Sequence, residues 1–402
     1  MANRNNEGNN EDFPGCVVID NGSEKIRWGI AGPDARPRSV FNTVATGAAA
    51  AEPAFGAPID WLSRGPAARA ASHALVERGY VVDAPGMEQM WRWIVTTQLA
   101  AGAGAASPTD VRSVTLATRP TATAKERQRA CEFFVEDLGV PAVGTADQPL
   151  LTLLQSGRTT GAVLELGEGV THAACYADGV PCARAVGTFV GGGDVTRALW
   201  RGIADARAPL DPLPATATWA DARAVKHAVA RAAAQPWAKS RATRDRVAAE
   251  PPVVARLLDG TALLVTSARY QCVEPLFVPR GVGSPADGIV DVLHHAIEAV
   301  ADRTARAAVL EGGVVLGGGS ARIDGLAQRV RSDLAAHLHT TVSAAPAVAP
   351  APSTGDDATS TAWAGGCILA ACPEYHQHGL VTAHDLAERG PECCRSAFVW
   401  PH

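Results

Sequence analysis

The alternation of apolar and polar positions divides the chain into short elements. In "VVIDNGSEKIRWGIAG" (Val17–Gly32), the runs Val17–Asp20 and Trp28–Ala31 predict two paired strands joined by a polar turn. "EQMWRWIVTTQL" (Glu88–Leu99) has helical spacing, with Met90, Trp91, Trp93 and Ile94 available to a core. "VRSVTLAT" (Val111–Thr118) is a β-branched strand, and "KERQRACEFFVEDLG" (Lys125–Gly139) a helix stopped by Gly139. "GAVLELGEGVTHAACYADG" (Gly161–Gly179) then repeats the opening pattern of strand, glycine-containing acidic turn and strand. This recurrence predicts a duplicated α/β domain. Further on, the pattern predicts an amphipathic helix over Ala220–Ala234 and a strand at Thr261–Thr266. Gly312–Leu338 reads as strand, glycine turn and helix, with Leu326, Val330, Leu334 and Leu338 on one face. "APAVAPAPSTGDD" (Ala345–Asp357) reads as an extended loop, and "WAGGCILAAC" (Trp363–Cys372) as the start of a buried helix.

Composition changes this picture little. The 402 residues suffice for two domains or one two-lobed domain. A net charge of -5 argues against a general nucleic-acid or acidic-membrane surface. Nine cysteines, an odd number without small-domain spacing, point to reduced thiols in cytosol or nucleus. Residues 1–14 are polar, carry no apolar signal core and are expected to form a flexible tail. No apolar run is long enough to span a bilayer. The alanine-rich tracts "GAAAAEPAFGAP" from Gly47 and "AAGAGAASP" from Ala100 read as compositional bias.

The chemistry lies in the turns. Asp20-Asn21-Gly22-Ser23 is a turn whose backbone amides can face a phosphate. Glu24 adds a carboxylate to the same turn. About 4 Å from a phosphate charge, it would cost roughly 4 kcal/mol at an effective dielectric near 20, unless it turns outward or pairs with Lys25 or Arg27.

In order along the chain, "VVIDNGS…GIAG", "SGRTTGAVLELGEGVTH", "RYQCVEPLF" (Arg269–Phe277), "VVLGGGSARIDGLAQRV", "STAWAGGCILA" and "ERGP" near Glu388 resemble the segments of actin and the actin-related proteins. The resemblance runs from Gly15 onward. It implies an α/β fold of two similar ribonuclease-H-like lobes around a nucleotide cleft. The first lobe would comprise residues 15–155 and 361–402, with a small subdomain about 42–74; the second would comprise 156–360, with a small subdomain about 191–284. It also implies ATP or ADP with Mg²⁺ between two glycine hairpins. Asp20, Asn21, Gly22 and Ser23 match the first hairpin, and Arg27 stands where the family has lysine. Glu165, Gly167, Glu168, Gly169 and Val170 match the second hairpin. Arg223 and Lys226 match the nucleotide-side helix, and Gly318, Gly319 and Ser320 the turn beside the adenosine. Any Mg²⁺ would come with the nucleotide near Asp20 and Glu165; no metal site of protein ligands alone is expected. Gln148 and His172 fall where the family orients the attacking water; the bland reading makes them polar residues with structural hydrogen bonds. Ser156, Gly157, Thr159, Ile368 and Leu369 match the walls of a groove where the family binds partners.

The departures from the family pattern point the other way. Glu24 replaces a glycine, Glu165 and Glu168 replace aspartates, and Leu166 replaces a small hydroxyl residue. His227 stands for a ribose-binding glutamate, Arg322 for a methionine, and Ile323 and Thr359 for residues flanking adenine. The loop "VPRGVGSPADG" after Phe277 lacks bulky apolar residues, and Ala45–Ala74 is short and alanine-rich. The expectation is therefore a divergent actin-like scaffold subunit of a larger cytoskeletal assembly in the cytoplasm. It would have weak or no ATPase, a weakly occupied or empty cleft, protein partners, and neither direct nucleic-acid nor membrane contact. The alternatives are an active ATP-hydrolysing filament or switch protein and a nuclear chromatin-complex subunit; a kinase of the wider superfold is disfavoured for want of a substrate-binding insertion. Outside the cleft, Cys367, Cys372, His376, His378 and His384 match no closed tetrahedral spacing. Cys393-Cys394 is expected to be a reduced surface pair, and His294-His295 structural.

Overall fold

The computed structural model describes residues 15–32, 34–45, 54–56, 72–98, 111–207, 213–237, 240–341, 343–352 and 360–399. Residues 1–14, Thr359, the tract from Ala100 and most of the expected small subdomain about 42–74, with the tract from Gly47, lie outside these.

Two sheets repeat one plan. In the first, β1 (Cys16–Asn21), β2 (Lys25–Ile30) and β3 (Arg38–Phe41) form an antiparallel meander. β1 then pairs in parallel with β4 (Ser113–Thr118), and β4 with β5 (Ala142–Asp147). In the second, β6 (Gly161–Leu166), β7 (Thr171–Ala177) and β8 (Val186–Thr188) form the meander. β6 pairs in parallel with β9 (Val314–Gly317), and β9 with β10 (Val348–Pro350). The strand orders β3-β2-β1-β4-β5 and β8-β7-β6-β9-β10 are thus equivalent. The central strands are apolar on both faces because helices cover both, as parallel strands require.

Helices α1 (Ala84–Trp93), α2 (Ala124–Glu132) and α3 (Gln148–Gln155) follow the first meander. α4 (Gly192–Ala206), α5 (Trp219–Val229), α6 (Ile289–Glu298) and α7 (Leu326–His337) belong with the second sheet, and α8 (Thr361–Ala370) returns the chain to the first. α8 is buried almost all round. Its Gly365 faces the Leu151 carbonyl of α3, where a Cβ would overlap that oxygen, and Gly366 rests on Val18 of β1. Trp363, also of α8, donates its indole N–H to the Val18 carbonyl at 3.1 Å. The close pairing of α3 and α8 joins the two sheets.

Four elements differ from the sequence pattern. α5 stops at Val229 rather than Ala234, because Arg231 N–H donates to the Arg269 carbonyl and Ala232 N–H to the Asp324 carbonyl. These tertiary bonds replace the helical ones. Val348–Pro350 is a strand rather than a loop, with its proline on the sheet edge, where the missing N–H costs nothing. The helices begun at Ala84 and Ala124 each continue as a π-turn, at Ile94–Gln98 and Phe133–Asp137.

Candidate functional site

The two meander turns share one construction. Gly22 N–H donates to the Lys25 carbonyl at 3.1 Å, and Gly167 N–H to the Val170 carbonyl at 3.0 Å. A Cβ on either glycine would meet that same carbonyl, at 2.6 and 2.8 Å. Asn42 closes the first turn by donating to the Gly22 carbonyl at 2.8 Å. Gly318, with φ 77°, adopts the left-handed turn that follows β9. All three turns lie at the carboxyl ends of parallel strands, where open α/β sheets place their ligand sites.

Between them lies a cavity of about 430 Å³. Its first wall carries Asp20, Asn21, Gly22, Ser23, Arg27 and Gln148. The opposite wall carries Glu165, Gly167, Glu168, Val170 and His172, and the far side Arg223, Lys226, Gly318, Gly319 and Ser320. Leu166 and His227 also line it. Gly169 faces a neighbouring cavity instead, packed so closely on Arg78 that a Cβ would lie 2.9 Å from its Cα. Of the expected adenine flank, Arg322 is exposed and donates to the Ala351 carbonyl at 3.4 Å, and Ile323 packs on the second sheet's core.

Most of the charges around the cavity are paired within the protein; Lys25, which also lines it, lies over the Phe41 ring at 5.2 Å. Asp20 accepts from Gln148 Nε2 at 2.7 Å and has the Arg27 guanidinium 3.8 Å away. Lys226 Nζ lies 3.4 Å from Glu168 and donates to the Gly192 carbonyl at 3.2 Å. Arg119 donates to both carboxylate oxygens of Glu126 at 2.8 Å. Glu24 neither turns outward nor pairs with Lys25 or Arg27, as the sequence suggested. It crosses the cleft to Arg223, with Oε1 and Nε 2.6 Å apart. The ion pair forms across the cleft because α5 brings Arg223 to the turn from the other side. Burial and the neighbouring Glu168 still raise the Glu24 carboxyl above its ordinary pKa, against the pull of Arg223, Lys226 and Lys25.

Glu165 is half-buried, and desolvation pushes its carboxyl up to about 8, with Asp20 adding to the shift. The Thr152 hydroxyl of α3 lies 2.7 Å from its Oε2 and opposes the rise. The carboxyl fits there because Gly317 has no side chain to meet it. At neutral pH it is held mostly protonated. Burial, reinforced by the Arg119 charge, lowers His172 to about 4, so its ring is neutral; Nε2 is 3.2 Å from the Thr121 hydroxyl. His227 is likewise lowered to about 4, by burial first, then by Lys226 and Arg223. Gln148 and His172 therefore both carry hydrogen bonds to the protein.

Of the groove residues, Ser156 and Gly157 end α3, Thr159 is exposed, and Ile368 is 42% exposed. Leu369 is fully buried against the core of α3 and is not a groove wall. The cysteine–histidine set is dispersed. Cys367 is buried within α8, His376 lies 2.7 Å from the Ala370 carbonyl, and His384 pairs with Glu388 at 3.4 Å. Among the described residues no group of three such side chains is arranged to hold a metal. Cys394 is buried rather than at the surface, with its thiol 3.9 Å from that of the half-buried Cys393. His294 and His295 lie on α6, with the His294 ring 5.2 Å from that of His337.

Sequence reasoning missed Arg119, Thr152 and the Val76–Val81 hairpin. Arg119 had a usable signal: it directly follows a β-branched strand, and Thr123-x-x-Glu126 is a capping box that fixes its partner. Thr152 had none, since it reads as one more residue of an apolar helix.

A family model described as Actin matches residues 12–214 and 215–398 of the chain.

Proposed function

The chain belongs to the actin family and has its two-lobed fold, and on that premise we propose that it serves as a structural subunit of a larger protein assembly rather than as an ATP-driven filament. The carrying observation is the internal pairing of the cleft charges: Arg27 with Asp20, Arg223 with Glu24, Lys226 with Glu168. A polyphosphate binds where cations and amides await an anion. Here it would displace carboxylates already seated on those cations and bring its own charge beside Glu24 and Glu168.

The donor set supports the same reading. Magnesium is held by ionised carboxylates and water at near-octahedral geometry. Glu165 is held mostly protonated near pH 7 and faces Thr152, while Asp20 is engaged by Gln148 and Arg27. These residues fit a magnesium–nucleotide complex poorly, and any nucleotide is a weakly held ligand. A cytoskeletal setting in the cytoplasm remains the preferred one, with protein partners and no direct nucleic-acid or membrane role. No helix among the described residues is long and apolar enough to cross a membrane.

The test is nucleotide extracted from natively purified protein and quantified by chromatography, together with identification of co-purifying proteins. A cleft largely free of nucleotide in a protein recovered with stoichiometric partners is expected. Stoichiometric ATP or ADP surviving dialysis would overturn the proposal.

A further inference from the structure

Two cavities meet at one ion pair. Beyond the polar cavity lies a second of about 490 Å³, whose walls include Phe41, Ala74, Val76, Trp219 and Ala220. Ser23, Glu24, Glu168 and Arg223 line both. Glu24 comes from the β1–β2 turn beside the first sheet, and Arg223 from α5 beside the second. Their 2.6 Å contact therefore stands where the cavities join and connects the two halves of the molecule. The Arg223 guanidinium also lies over the Phe41 ring at 5.8 Å, which fixes it from the first-sheet side.

A second crossing is built onto the same turn. Ser23, the residue before Glu24, accepts from the Gly79 N–H at 2.9 Å and so holds the Val76–Val81 hairpin. From that hairpin Arg78 donates to the Phe189 carbonyl and approaches Asp194 at 3.8 Å, and Tyr80 packs on the Phe189 ring. Turn, hairpin and ion pair form one connected strip across the cleft.

We propose that Glu24 and Arg223 form a bolt that couples the two lobes in the ligand-free protein and partitions the cleft into a polar inner and an apolar outer chamber. This deepens the function proposed above and rests on its premise that the cleft cations are neutralised internally. The electrostatics predict an asymmetry. Loss of Arg223 leaves the mostly buried Glu24 carboxylate facing Glu168, with only Lys226 and Lys25 to compensate. Glu24→Gln leaves Arg223 beside Lys226 and Lys25 with Glu168 as the remaining carboxylate, but keeps a neutral oxygen of the same reach facing the guanidinium. Breaking a buried pair from one side costs more than replacing both partners.

The test is hydrogen–deuterium exchange on the full chain, read at residues 22–25, 76–81 and 167–170, with β4 as the folding control. In Arg223→Ala these segments should exchange about tenfold faster, within the coupling range of contacting residues. Glu24→Gln should give a smaller change, and the double variant should exchange more slowly than Arg223→Ala alone. The charge-exchanged pair, Glu24→Arg with Arg223→Glu, should return within about threefold of the parent. Unchanged exchange in both single variants, additive effects in the double variant, or no rescue by exchange would overturn the bolt. If Arg223→Ala also loses protection in β4, Glu24→Gln and the exchanged pair carry the comparison. Nucleotide content measured on the same samples tests the cleft premise separately, so the two failures are distinguishable.

Discussion

Glu165→Gln converts the cleft floor into a direct reading of proton linkage. The folded protein holds the Glu165 carboxyl at about 8 against an ordinary 4.5, chiefly by burial. Between those values the unfolded chain has released the proton and the folded chain has kept it. Stability from this group is therefore fully present below about pH 4.5, falls as pH rises, and is lost above about pH 8. At about 1.36 kcal/mol per unit, the loss is on the order of 3 kcal/mol at pH 7 and about 5 at pH 8. Glutamine has nearly the same shape, accepts from Thr152 and does not titrate. The variant should match the parent near pH 5 and exceed it increasingly toward pH 8. Paired urea or thermal denaturation curves across that range provide the assay, repeated in chelator to keep adventitious cations out. Parallel pH profiles for the two proteins would show that the carboxyl is ionised in the fold and that the burial argument fails.

Phosphate release should be slow or absent, and Gln148→Ala should change it little. Displacement of reacting groups by about 1 Å can cost on the order of a hundredfold, and actin-like turnover that disappears in the variant would contradict this. Self-filaments should be scarce when pelleted in magnesium and potassium salt, because Gly281 and Gly283 offer no side chain to a neighbour and a bulky buried residue is worth about 1.5–3 kcal/mol; long regular filaments in electron micrographs would refute it. Gly365→Ala should destabilise by at least about 1–3 kcal/mol, because the new methyl overlaps the Leu151 carbonyl and a backbone atom cannot rotate away; an unchanged melting temperature would show that α8 can retreat freely.

The sequence carried the fold because its signals are local. Strand alternation and the turn glycines at Gly22, Gly167 and Gly318 are visible within a few residues, and their repetition announced the duplicated sheets. The resemblance and the same turns pointed to residues that line the cavity, Gly169 excepted. The partners were not legible. Glu24 has Lys25 and Arg27 beside it in sequence, yet it pairs with Arg223, which only the docking of α5 brings near. Glu165 resembles a metal-facing carboxylate until Thr152 and the bare Gly317 receive it. The end of α5 and the strand at Val348–Pro350 were misread for a related reason. Both depend on backbone hydrogen bonds to segments distant in the chain, and a helical or proline-rich pattern contains no record of them.

The glycine contact between α3 and α8 also fixes how the molecule can deform. Side chains packed across an interface can interleave anew and let two layers slide, but a helix resting on a carbonyl oxygen through a bare Cα has nothing to rearrange. Closer approach of α8 to α3 at that contact is blocked by main-chain atoms on both sides. Gly365 and Leu151 thus act as a rigid spacer that sets the distance between α8 and α3.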